Sequence, residues 1–193
     1  MTPWLLASSV VSGFALSILA EARLQRMNLP FLKHAGGEEL GRSLFRRFYV
    51  WHFLAVPLGI IEFFVIDRDP SQVSQLLGCL LTFMGLSLRT WSMHSLGRMW
   101  SRYCIYIYGV PKVESGPYRF CAHPEYLSRF LEITGIALVL ASYYSGFMCQ
   151  IMMVVSLAKM LPLERLQIQT MAYQNLQPPH FDSAKQGPSA VAN

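Results

Sequence analysis

Long apolar runs alternate with short polar segments along the chain. Thr2–Ala20 carries no charge, and Phe48–Ile66 is interrupted only by His52 and Glu62. Ser74–His94 contains one charge, Arg89, near its end. The last run, Ile133–Ala158, is uncharged and sits inside a wider helical region from Glu125 to Pro162. A membrane-crossing helix takes about 20 apolar residues. The last block is too long for one crossing and suits two short ones, with a tight turn at Ser142-Tyr143-Tyr144-Ser145-Gly146. The pattern therefore predicts an all-α polytopic membrane bundle of about five spans: 2–20, 48–66, 74–94, 125–143 and 146–163. The last two form a C-terminal helical hairpin. Residues 1–177 read as a single membrane domain with a catalytic core over about 76–165. The Pro178-Pro179-His180 segment opens a tail, 178–193, expected to be disordered.

The first run has a competing reading as a cleaved signal peptide, because Ala20-Glu21-Ala22 has small-x-small form. No basic segment precedes the run, which favours a span. Composition agrees with a membrane protein: 53% of the 193 residues are hydrophobic and only 14% charged, against about 25% charged in ordinary soluble domains.

Charge then orients the bundle. Arg23, Arg26, Lys33, Arg42, Arg46 and Arg47 follow the first run, and Arg98, Arg102, Lys112 and Arg119 follow the third. Lys159 and Arg165 close the last, whereas the Asp67–Ser74 loop holds only Arg68. Cationic loops favour the cytoplasmic side, so the N-terminus is expected outside and the C-terminus in the cytoplasm. The surplus of +5 is split into short segments beside apolar runs. That arrangement suits anionic lipid headgroups rather than nucleic acid. Cys79, Cys104, Cys121 and Cys149 show neither metal-ligand spacing nor a disulfide framework, so no metal site is expected.

Polar chemistry concentrates between Arg89 and Tyr126. Arg89, His94 and Arg98 stand at the end of the third span among Trp91, Trp100, Tyr103, Tyr106 and Tyr108. An interfacial aromatic belt with snorkelling arginines is one reading, and a substrate pocket formed by Arg89, Trp91, His94 and Trp100 is the other. Gly109-Val110-Pro111 and Ser115-Gly116-Pro117 are turn signals, after which His123-Pro124 starts a helix. On that helix Glu125, Arg129 and Glu132 share a face by i, i+4, i+7 spacing. Charges heading into apolar sequence are expected to face the bundle interior, as a site or as a self-neutralising cluster. The sum is a polar pocket open towards lipid, suited to a water-soluble cosubstrate and a lipid-borne acceptor.

Leu88-Arg89-Thr90-Trp91, Leu96-Gly97-Arg98-Met99-Trp100-Ser101, Gly116-Pro117-Tyr118-Arg119 and His123-Pro124-Glu125-Tyr126-Leu127 follow in order. This series resembles the isoprenylcysteine carboxyl methyltransferase family of integral membrane methyltransferases, over about Leu76 to Arg165. The resemblance implies S-adenosylmethionine as cofactor, bound by Gly116, Pro117, Tyr118, His123, Pro124 and Tyr126, with Glu164 as the acidic position after the last span. It also implies a lipid or prenylated acceptor, and a bacterial inner membrane or endoplasmic reticulum as location. The family's arginine before His-Pro is Ala122 here, with Arg119 or Arg129 as stand-ins; the glycine after the tyrosine is Ser128. Arg119, Arg129 and Glu132 are the candidate catalytic residues.

No Asp-His pair is evident that would deprotonate an amine or phenol, which favours an acceptor that is already anionic, such as a carboxylate. Three alternatives stand beside that reading: a phospholipid amine methyltransferase, an NADPH-dependent reductase of the sterol type, and a relative without catalysis. Oligomeric state is not legible.

Overall fold

The first apolar run does not end at its first charge. In the computed structural model, which describes residues 3–40, 42–66, 68–107 and 113–176, it continues through the basic stretch as one helix. This is α1, Pro3–His34, followed by α2 (Arg42–Ile66), α3 (Gln72–Leu96), α4 (Pro124–Val139) and α5 (Tyr143–Leu176). A short antiparallel ribbon pairs β1 (Glu38–Leu40) with β2 (Cys104–Tyr106), in the register Glu39 opposite Ile105. It ties the α1–α2 connection to the segment after α3, and the apolar pattern gave no sign of it. Single 3₁₀ turns lie at Gly97–Met99 and Gly116–Arg119.

Among the described residues, four segments are long and apolar enough to cross a membrane: Leu5–His34, Phe45–Ile66, Gln72–Met99 and Tyr143–Pro162. The expected fourth span, 125–143, corresponds to α4 (Pro124–Val139). α4 has 16 residues, about 24 Å at about 1.5 Å per residue, short of a hydrocarbon core about 30 Å thick. Pro124 starts it, and a left-handed turn stops it. The Ser142 amide donates to Ala137 O at 2.9 Å while Ala141 holds φ +51°, a Schellman closure built on alanine. The hairpin turn therefore lies at 140–142; of Ser142–Gly146, expected as the turn, Ser142 belongs to it and Tyr143–Gly146 forms the first turn of α5. The expected tail at 178–193 and the turn signal at Gly109–Pro111 lie outside the described residues.

α3 and α4 pack backbone to backbone. The buried stripe of α3 is Gln75, Gly78, Thr82, Gly85, Arg89 and Ser92, alternating three- and four-residue steps with small residues where α4 crosses. A Cβ on Gly78 would stand 2.6 Å from Gly135 O, and one on Gly85 2.7 Å from Ser128 O. Close approach through small residues is how helices associate in lipid, where apolar burial gives little drive.

The hairpin end is fastened across the bundle. Ser74 Oγ donates to Leu138 O at 3.0 Å, placing the start of α3 beside the end of α4. Glu62, near the end of α2, accepts the amides of Tyr144 at 3.1 Å and Ser145 at 2.6 Å. A carboxylate from a neighbouring helix thus caps the first turn of α5, where the helix end is partly positive. Glu62→Ala is expected to cost about 1–2 kcal/mol, with Glu62→Gln intermediate, in thermal unfolding of the detergent-solubilised protein.

Candidate functional site

At the opposite end of the bundle the α1–α2 connection, the segment after α3 and the start of α4 converge. Exposed cations gather there: Arg23, Arg26 and Lys33 on α1, Arg46 and Arg47 on α2, then Arg98, Arg119 and Arg165. Between them opens a cavity of about 480 Å³, within the range of small-molecule sites. Phe45 and Tyr49 of α2 form one wall, Met99, Ser101, Arg102 and Tyr103 another, and Leu161 and Arg165 of α5 a third. Tyr118, Ala122, His123, Pro124, Glu125 and Tyr126 complete it.

Local structure explains how these side chains are set. His123 is the N-cap of α4 (φ −136°, ψ 65°), and Pro124 occupies the first helical position, where its missing amide costs nothing. The His123 and Tyr126 rings then stack at 5.3 Å and 16°. Phe48 also meets Tyr126, in an edge arrangement with centroids 5.1 Å apart. Trp100, fully buried, donates its indole N–H to Glu125. Gly116 takes φ +61° and lies so close to Ser95 and Trp91 of α3 that a side chain there would collide. This seats the 3₁₀ turn, with buried Pro117, and delivers Tyr118 to the cavity. Burial, reinforced by the Glu125 carboxylate, pushes the Tyr118 phenol well above its ordinary range, so it remains a neutral hydrogen-bonding group.

Behind the cavity lies a buried ionic cluster. Glu21 of α1 accepts from Arg129 Nη2 at 2.6 Å and stands 3.5 Å from Arg89 Nη1 and 3.4 Å from Arg102 Nε. Glu132 lies 3.2 Å from Arg89 Nε and 3.4 Å from His52 Nε2. Arg89 also donates to Ser17. The Arg129 guanidinium covers the Tyr49 ring at 4.3 Å and donates to its hydroxyl at 3.2 Å.

Of the residues singled out from sequence, Tyr118, His123, Pro124 and Tyr126 meet in the cavity, while Gly116 and Pro117 position that segment against α3. Arg89, Arg129 and Glu132 lie in the ionic cluster and do not line the cavity. Arg119 is exposed outside it. Arg89, Trp91, His94 and Trp100 do not converge on one pocket. With Arg89 on the buried stripe of α3, Trp91 and His94 fall on outward faces, Trp91 being 49% exposed; Trp100 is buried and bonded to Glu125. The Glu164 side chain lies outside the described residues.

Sequence reading missed Phe45, Tyr49, Ser101, Arg102 and Glu125 as wall residues and Glu21 as the hub. One signal was available. Glu21, Gln25 and Asn28 repeat at i, i+4, i+7, a polar stripe continuing the first helix. All three are buried.

The profile of the Isoprenylcysteine carboxyl methyltransferase (ICMT) family matches residues 76–169. The chain is also similar to the uncharacterized protein YpbQ of Bacillus subtilis (strain 168), 30% identical over 141 residues, which cover 72% of this chain and 80% of that protein. No solved structure matches it. The matched span runs from the small-residue stripe of α3 through the cavity-forming segment and α4 into α5, and with four helices able to cross a membrane the chain belongs to the isoprenylcysteine carboxyl methyltransferase family.

Proposed function

We propose that the chain is an S-adenosylmethionine-dependent methyltransferase acting on a lipidic or prenylated acceptor at the cytoplasmic membrane face. The observation that supports it is the cavity formed by Tyr118, His123 and Tyr126 beside Glu125 and Arg102. The donor set suits this cofactor: aromatic faces for a purine and a sulfonium, a carboxylate for an ammonium, and cations for a carboxylate. The cationic rim around the cavity favours the cytoplasmic leaflet.

When bound, S-adenosylmethionine supplies a methyl group already activated by a positive sulfur. The chain's task is alignment and exclusion of water. The Tyr126 ring, packed against His123 and Phe48, is a fixed aromatic group in the cavity wall. Tyr118 contributes a neutral hydroxyl, and His123 a ring nitrogen for hydrogen bonding. Phe45 and Leu161 provide an apolar wall, suited to the chain of a lipid-borne acceptor. No proton has to be removed from a carboxylate acceptor.

Titration of the purified protein in detergent with S-adenosylmethionine tests this reading. Saturable binding is expected, with Tyr126→Ala raising Kd about tenfold, the order of 1–2 kcal/mol for a cation over an aromatic face. His123→Ala and Glu164→Gln are expected to weaken binding too. A labelled-methyl assay with membrane lipids and a farnesylcysteine analogue then identifies the acceptor. Binding of NADPH in place of S-adenosylmethionine, or of neither by folded protein, would sink the proposal.

A further inference from the structure

We infer that Arg102 is the carboxylate-recognising residue of the cavity and that α1 holds it there. The assignment rests on the methyltransferase reading and names a contact within that site.

Three guanidiniums share Glu21, and their situations differ. Arg129 is hydrogen-bonded to it and enclosed, and Arg89 is also paired with Glu132. Arg102 has only a 3.4 Å contact from Nε to Glu21 Oε1, and of the three it alone lines the cavity, its side chain 19% exposed. Its Nε and Nη2 are shielded from solvent without a hydrogen-bond acceptor among the described residues. The guanidinium rests against the rings of Tyr49 at 5.5 Å and Phe53 at 5.7 Å. The part of the side chain left exposed lies on the cavity, where a ligand carboxylate can meet it with charge-assisted bonds. Glu125 lies on the same cavity, so the two charges complement an ammonium and a carboxylate. The other lining cation, Arg165, is exposed to water, which weakens its pull.

The polar stripe of α1 sets the position. Gln25 Oε1 accepts the Arg102 amide at 2.7 Å, and Gln25 Nε2 donates to Ser101 Oγ at 3.3 Å. Asn28 Nδ2 donates to Gly97 O at 3.1 Å and Trp100 O at 3.0 Å. Glu21, Gln25 and Asn28 therefore fix the 97–102 segment, though all three lie outside the family-matched span. Gln25 is a positioning residue here.

The carboxylate has two sources, the amino-acid end of the methyl donor or an acid-bearing acceptor. Full-length protein in nanodiscs is titrated with S-adenosylhomocysteine and with 5′-methylthioadenosine, which lacks the amino-acid end. Arg102→Gln is expected to weaken S-adenosylhomocysteine at least about tenfold, as a charge-assisted bond implies, and to leave 5′-methylthioadenosine unchanged. Arg102→Lys should recover part of the loss, and Gln25→Ala should reproduce it more weakly with the same ligand selectivity. Unchanged S-adenosylhomocysteine affinity with a raised KM for farnesylcysteine places the carboxylate on the acceptor and still supports the assignment. If folded Arg102→Gln protein shows neither change, or if only Arg165→Gln shows them, Arg102 serves Glu21 alone and the inference fails. Absence of S-adenosylhomocysteine binding by the wild type overturns the methyltransferase reading, and this assignment with it.

Discussion

Glu21→Ala is expected to be the most damaging single charge removal in the molecule, costing about 3–5 kcal/mol. The side chain is fully buried and is within 3.5 Å of Arg89, Arg102 and Arg129. Without it, Arg129 loses its one ion-pair partner among the described residues and remains enclosed beside Arg89, which keeps Glu132. Desolvating a charge is tolerable only while an opposite charge faces it. Thermal unfolding in detergent measures the loss, and a cycle with Arg129→Met separates pairing from packing. The double variant is expected to be more stable than the sum of the single losses predicts, because the stranded cation is gone. A Glu21→Ala protein within about 1 kcal/mol of wild type would mean that the cluster is hydrated and energetically ordinary.

The same cluster shows what the sequence could and could not reveal. Arg89, Arg129 and Glu132 were legible because a charge inside an apolar run has a strong physical reason to face inwards. Their common partner was not. Glu21 stands at the boundary where apolar sequence gives way to Arg23 and Arg26, and there a charge has an innocent reading as a helix end in water. Only the continuation of α1 to His34 turns that boundary into an interior position. The cavity walls were hidden for a different reason. Tyr118, His123 and Tyr126 come from one compact segment, whereas Tyr49 and Arg102 reach the cavity through tertiary packing, which leaves no period in the chain. The hairpin turn moved because Ala141 accepts a left-handed backbone, a conformation that alanine does not advertise. Glu62, by contrast, interrupted an apolar run visibly, and its purpose emerged only once α2 and α5 were seen side by side.

Gly135→Leu is expected to separate α3 from α4 and cost about 3 kcal/mol, the upper end for overpacking. Any side chain at this position meets the Gly78 carbonyl and Thr82 on α3, and neither obstacle can swing away. One is backbone, and the other is tied by its hydroxyl to Gly78 O at 2.9 Å. Relief therefore requires moving a whole helix. The displacement reaches the site, because α4 carries Glu125 and Tyr126 at one end and Glu132 within the ionic cluster. Gly135→Leu is accordingly expected to lower S-adenosylmethionine affinity as well as unfolding temperature, though residue 135 lies three helical turns from the cavity-lining His123-Pro124 start of α4. Gly13→Ala supplies the contrast, since a Cβ there meets nothing within 4 Å and helix propensity alone favours the change by up to about 1 kcal/mol. Comparable unfolding temperatures for the two variants would show that the α3–α4 crossing tolerates a wider spacing. The small-residue stripe would then have no role in holding the site.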